Sequence, residues 1–201
     1  MTEASPALWA VLNGSFSALR SVVEEVEPDA WPSPSPCNQW SARQVLEHAA
    51  GDQLAWAATV AGAGPLPDYD PFQPSGSEPG TAAELLNPAL AASAAAWAAV
   101  SAATETVPTP LPQGKMPPEY AVAACAMDAA IHAWDIAMAT GQPSPLSNEL
   151  AVALEPAAQI IAEPLREYGV FGPIVSGAAG GDSGAAERLL RFLGRDPNWG
   201  A

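Results

Sequence analysis

Only two histidines occur among the 201 residues, His48 and His132, and the second lies four residues after Asp128 in a stretch that otherwise reads as an apolar helix. Four residues is just over one helical turn, so Asp128 and His132 share a face, one above the other. If a helix carrying His48 lies alongside at the same level, two imidazoles and one carboxylate meet at one point. Two histidines and a carboxylate on one side of a divalent metal leave positions open for water or substrate. That is the arrangement of a catalytic rather than a closed structural site.

The surroundings sharpen the question. From Tyr120 to Thr140 the acidic residues are Asp128 and Asp135, His132 is the one basic side chain, and the rest is mostly Ala, Val, Ile, Met, Cys and Trp. Such a helix is expected to be buried nearly all round. Cys125, Asp128, His132 and Asp135 follow at steps of three, four and three, which makes one polar stripe. A buried carboxylate without a cation costs several kcal/mol. With Lys and Arg absent from the segment, a metal ion is the expected counter-charge, and without it burial is expected to raise the Asp128 pKa.

The competing reading is an Asp-His pair satisfied within its own helix, with nothing bound. His48 tips the balance: it stands about eight residues into its helix and Asp128 about ten into its own, so antiparallel pairing puts both near mid-bundle, where facing helices build metal sites. Asp52, one turn after His48, either satisfies that histidine or lines the site. Asp135 is expected to orient a ligand or polarise bound water. Asp52 and Asp135 are therefore the candidates for proton transfer. Cys125 reads as a small buried thiol, and Trp134, about 200° around the helix from His132, as packing.

The elements that must position these groups follow from periodicity and caps. A first helix begins at Ser5-Pro6 and carries Leu8, Leu12, Phe16, Leu19, Val23 and Val26 at helical spacing until Glu27-Pro28. The proline-rich segment Trp31 to Cys37 is an extended connection. Ser41 and Gln44 form a capping box that opens a second helix to about Val60, and Thr81 with Glu84 opens a third that runs to about Thr106. The fourth spans about Glu119 to Thr140 and ends at Gly141. A shorter helix from Ser147 to about Glu163, a Gly-rich loop and a last helix from Ala185 to Leu193 follow. No segment has the period-2 alternation of a strand. The fold class is thus all-α, a four-helix bundle with short C-terminal helices. The connection of roughly 20 residues between helices two and three can cross the whole bundle at about 3.3 Å per residue. Those two helices are expected to run parallel, and the others to pair antiparallel. One domain over residues 1–201 is expected, with a core bundle at 5–141 and a helical extension at 142–201.

Seven basic against 22 acidic residues give a net charge of −15. Such a surface repels phosphate backbones and anionic membranes, so neither nucleic acid nor membrane is an expected partner. No basic-then-apolar leader opens the chain, and Cys37 and Cys125 could form one disulfide at most, so a cytoplasmic protein with two reduced thiols is expected. The Gly-rich loop lacks the Lys-Ser/Thr ending of a phosphate-binding loop, and no Gly-x-Ser-x-Gly elbow occurs.

Three motifs occur in order: Pro36-Cys37-Asn38-Gln39-Trp40-Ser41 leading to Leu46-Glu47-His48; His132-Ala133-Trp134-Asp135-Ile136-Ala137 with Ala139-Thr140-Gly141; and Leu193-Gly194-Arg195-Asp196-Pro197-Asn198-Trp199. Together they resemble an actinobacterial branch of the DinB-like superfamily, related to the N-terminal domain of mycothiol-dependent maleylpyruvate isomerase. The resemblance implies a four-helix bundle whose divalent metal is held by a histidine of the second helix and a carboxylate and histidine four apart on the fourth. Those positions correspond to His48, Asp128 and His132. It also implies a metal-dependent thiol transferase or isomerase. Two departures stand out: Asp128 replaces the longer Glu of the isomerase, and the chain ends soon after the bundle, without the isomerase's α/β lobe. Isomerase activity is therefore not the expectation.

The expected function is transfer of a low-molecular-weight thiol of the mycothiol type to a small electrophile, with zinc as first candidate metal and nickel, iron or manganese as alternatives. A non-catalytic metal or small-ligand-binding protein and a metal-dependent hydrolase remain open, as does the choice between monomer and homodimer.

Overall fold

The computed structural model describes residues 6–37, 39–66, 68–177 and 183–200. Ser5, expected to cap the first helix, lies outside them. The described elements are α1 (Pro6–Glu24), α2 (Ala42–Val60), α3 (Ala82–Ala98), β1 (Val107–Pro108), β2 (Lys115–Met116), α4 (Pro118–Ala139), α5 (Asn148–Arg166) and α6 (Ala185–Phe192). The protein is all-α; among the described residues the one strand pair is an antiparallel ladder of two-residue strands in the α3–α4 connection, beside an isolated bridge between Pro34 and Ser41.

Both expected capping boxes are formed. The Ser41 hydroxyl accepts from the Gln44 amide while the Gln44 side chain accepts from the Ser41 amide, and Thr81 and Glu84 repeat the exchange. Each satisfies two orphan donors at a helix start. Three ends differ from expectation, α5 running on to Arg166 where about Glu163 was expected. α1 stops at Glu24 because Glu24, Glu25 and Glu27 crowd negative charge onto a helix C-terminus whose dipole already opposes it. α3 stops at Ala98 rather than near Thr106. Trp97 is its last buried anchor, and the Ser101 hydroxyl then takes the Ala103 amide into a local turn.

The four long helices form a bundle in which α1 packs on α4 and α3, and α2 on α3 and α4. Helices α2 and α3 run parallel: Arg43 near the start of α2 donates to the carbonyls of Glu78 and Gly80 before α3, and Trp56 and Trp97 meet near the far ends with centroids 5.9 Å apart. Antiparallel packing of α2 on α4 follows from the contacts of Gln53 with Cys125 and of His48 with His132. The expectation that all other pairs are antiparallel does not hold for α1 and α4. Gln142, just past α4, donates to the Val22 carbonyl near the end of α1 at 3.1 Å, so these two also run parallel.

The connection from α2 to α3 is stitched to α2. Buried Glu47 accepts from the amides of Gly76 (2.6 Å) and Glu78 (2.9 Å), and Gln44 donates to the Pro74 carbonyl. Gly51, inside α2, lies where an added Cβ would run into the Tyr69 ring.

Helix α4 is buried from Ala121 to Ala137 except at Asp128. Among the described residues it is the one helix long and apolar enough to cross a membrane. Of its apolar window, 89% lies inside the protein, as in a core helix. α5 and α6 pack successively on its outer side.

Candidate metal centre

The antiparallel pairing of α2 and α4 brings His48 and His132 edge to face, with ring centroids 4.7 Å apart and planes at 88°. His132 Nε2 is 3.4 Å and His48 Nε2 4.0 Å from the same oxygen, Oδ1 of Asp128. One ligand atom from each of the three residues lies within 4.8 Å of the others. In a tetrahedral zinc site with bonds of about 2.0–2.1 Å, ligand atoms stand about 3.4 Å apart. The His132–Asp128 pair, at 3.4 Å, already has that spacing, and the His48–Asp128 pair, at 4.0 Å, is wider, so the set can hold a divalent ion once His48 moves inward.

Each imidazole is oriented through its other nitrogen. His48 Nδ1 is 2.9 Å from the Pro71 carbonyl, which can only accept, so Nδ1 carries the hydrogen and the Nε2 lone pair faces Asp128. His132 Nδ1 is 3.0 Å from Oδ2 of Asp135, which orients its ring in the same sense. Outer partners of this kind fix the tautomer of metal-ligating histidines. The Trp40 ring packs against the His48 ring with centroids 4.9 Å apart.

The two rings differ in charge. Burial, with His132 adding to it, lowers the His48 pKa from 6.5 to about 4, so His48 is neutral. Burial also works against the charged form of His132, but Asp128 and Asp135 outweigh it and raise the pKa to about 9. Without an ion, His132 is therefore an imidazolium between two carboxylates.

The expectation that the carboxylates lack a cation is corrected here. Asp135 is fully buried, and Arg195, from the segment after α6, grips both its oxygens: Nη2 to Oδ2 at 2.9 Å and Nε to Oδ1 at 3.2 Å. Burial pushes the Asp135 carboxyl up, but Arg195 and His132 outweigh it and hold it below its ordinary range. Asp128 likewise has partners: Gln53 Nε2 donates to its Oδ2 at 3.1 Å. Burial raises its pKa, yet His132 and Gln53 bring it below the ordinary value, not above it as expected from burial alone.

Asp52 Oδ2 is 3.6 Å from His48 Nε2, and Tyr69 donates to Asp52 Oδ1. Burial and the neighbouring Asp128 raise Asp52 to about 8. Cys125 is turned away from the cluster. Its thiol donates to Gln53 Oε1 and receives the Trp97 indole N–H, and it fills core as expected. Trp134 is buried packing. Both cysteines are free. Cys37, expected from the sequence to be a reduced thiol but not a ligand, stands 3.4 Å from Arg195 Nη2 and forms a second potential ligand group with His132 and Asp135. Burial pushes its thiol up to about 12.

Arg195, Gln53, Tyr69 and the Pro71 carbonyl went unidentified in the sequence. Arg195 lies in the third motif, and Gln53 is a polar residue on the inward side of α2. Those were the available signals.

Fold and site together define a DinB-like helical bundle with a buried Cys/His/Asp cluster capable of metal coordination. The chain belongs to the family of the mycothiol maleylpyruvate isomerase N-terminal domain, which it matches over residues 12–137. It is similar to an uncharacterized protein of Mycobacterium tuberculosis, found in two strains, with 31% identity over 153 residues that cover 73% of this chain and 75% of the relative. No solved structure matches it significantly.

Proposed function

We propose that this chain is a divalent-metal-dependent enzyme that joins a low-molecular-weight thiol of the mycothiol type to a small electrophile. His48, Asp128 and His132 hold the ion, with zinc the first candidate, and the bundle and its C-terminal extension act as one domain. The observation that carries this reading is the convergence of two histidine Nε2 atoms on one oxygen of Asp128, each ring already oriented through Nδ1. A family description that names mycothiol supports the choice of thiol.

A bound divalent ion supplies Lewis acidity that eases deprotonation of a thiol at an open position. The chain's own residues do the rest. The Pro71 carbonyl and Asp135 keep the two imidazoles from rotating, and Gln53 fixes Asp128 so that Oδ1 faces them. Asp52, held by Tyr69 beside His48, takes the thiol proton at Oδ2. A neighbouring divalent charge favours its carboxylate form, which makes it an acceptor at neutral pH. The sulfur then forms a bond to the electrophilic carbon while the leaving group departs with its electron pair and collects the proton from Asp52.

One observation favours a second, non-catalytic reading. Asp128 with His132 and Asp135 with Arg195 close their charges pairwise without an ion. Elemental analysis of protein purified without added metal, followed by thiol-consumption assays with mycothiol and a general electrophile, decides between them. About one metal per chain and thiol-dependent turnover support the enzyme. Metal without turnover supports a binding protein, turnover without thiol a hydrolase, and no metal a purely structural cluster.

A further inference from the structure

We infer that Arg195 is a positioning residue of the metal centre, acting through Asp135 on His132, so that the segment after α6 completes a site otherwise built within the bundle. The inference rests on the metal reading above.

The local chain geometry that delivers this arginine is specific. α6 ends in a Schellman motif: the Gly194 amide donates to the Arg191 carbonyl at 3.1 Å and the Arg195 amide to the Leu190 carbonyl at 2.8 Å, with Gly194 at φ +82°. A Cβ on Gly194 would stand 2.8 Å from the Gly172 carbonyl oxygen, so glycine is required there for space as well as for φ. The reversal turns Arg195 inward, where its side chain is 8% exposed and reaches a carboxylate that is 0% exposed. Arg166 anchors the same segment by donating to the carbonyls of Gly172 and Phe192.

The contact has the form of a positioning device. A planar guanidinium engaging both carboxylate oxygens removes the rotational freedom of Asp135. Asp135 then offers Oδ2 to His132 Nδ1 at 3.0 Å, which points Nε2 of that ring at Asp128. The match to the isomerase domain ends at residue 137, so this positioning comes from outside the matched region.

The test uses the whole metal-free chain titrated with zinc(II) alone against a chromophoric competitor. Removing an outer partner of a ligating histidine commonly weakens metal binding by about 10–100-fold, and that loss is expected for Arg195→Ala. Arg195→Lys, which keeps the charge but cannot fork, should recover part of it. Once Asp135 is Asn, Arg195→Ala should change affinity by less than about twofold, because the path is already cut. A folded Arg195→Ala that stays within about twofold of wild type overturns the inference. So does a loss of equal size in the Asp135→Asn background, which would make Arg195 only a clamp on the C-terminal segment. If Arg195→Ala does not fold, Arg195→Lys carries the same comparison. Failure of the wild type to bind zinc would instead remove the metal reading itself.

Discussion

The two histidines stand 4.7 Å apart but are held by opposite kinds of construction. His48 leans on a main-chain carbonyl of the α2–α3 connection, a neutral acceptor, and burial keeps it uncharged with a pKa of about 4. His132 leans on a carboxylate backed by Arg195 and faces a second carboxylate; against burial, these raise its pKa to about 9. One imidazole is ready for a metal at neutral pH. The other must first surrender a proton. The lesson is that, on the proposed ligand set, a metal would have to compete with a proton for His132, so occupancy should depend on pH through that side of the site.

The largest expected effect comes from removing either histidine. His132→Ala and His48→Ala should each abolish stoichiometric zinc binding while far-UV circular dichroism remains helical, because the bundle core is apolar and does not depend on them. If both variants keep one tightly bound ion, the ligand set is wrong; if both unfold, the histidines are structural.

Second, zinc binding at pH 7.5 should release about one to two protons, from His132 and from Asp52. Calorimetry in buffers of different ionisation enthalpy measures this number, and a value of zero would erase the contrast between the rings. The same contrast sets the metal-free stability profile. His132, raised to about 9, contributes stability that is complete below 6.5 and lost as pH rises through about 9. Asp52, raised to about 8, adds a loss in the same direction. His48, lowered to about 4, and Asp128, held below its ordinary value, lose theirs as pH falls. Thermal midpoints of metal-free protein should therefore decline from pH 6.5 to 9, and His132→Ala should flatten that decline.

Third, Asp128→Asn should weaken zinc binding and also lower metal-free stability by about 1–3 kcal/mol, since Asp128 accepts from Gln53 and faces the His132 charge. Burial among apolar residues would by itself predict no loss, or a gain. Chemical denaturation with chelator present separates the two, and an unchanged or higher stability would mean that Gln53 and His132 do not compensate the carboxylate.

The smallest effect is reserved for Gly51→Ala. Helix propensity favours alanine by about 1 kcal/mol, but the added Cβ meets the Tyr69 ring that holds Asp52. A modest net loss of stability is expected, with zinc affinity nearly unchanged. A net gain would mean that Tyr69 does not pack there.

How much of this was legible follows from where each partner sits along the chain. The capping boxes at Ser41 and Thr81 are local patterns, and both are formed. The register that brings His48 to Asp128 and His132 followed from counting residues into each helix, and a connection of about 20 residues foretold parallel α2 and α3. The parallel α1–α4 pair was missed although it follows: both pack against elements of the parallel α2–α3 layer and oppose it. Arg195 was not legible as a partner because 60 residues and a Gly-rich loop separate it from Asp135. The Pro71 carbonyl had no signature at all, since a main-chain acceptor carries no side-chain identity. Gly51 was a readable but unread signal, a helix-interior glycine marking close approach of another segment.

The central claim is the identity of the ligands, and X-ray absorption at the zinc edge of the loaded protein tests it most directly. The account predicts nitrogen and oxygen neighbours at about 2.0–2.1 Å with outer-shell scattering from two imidazoles and no sulfur. A sulfur neighbour at about 2.3 Å would contradict it, moving the ion to the Cys37, His132 and Asp135 group on the other face of the same histidine.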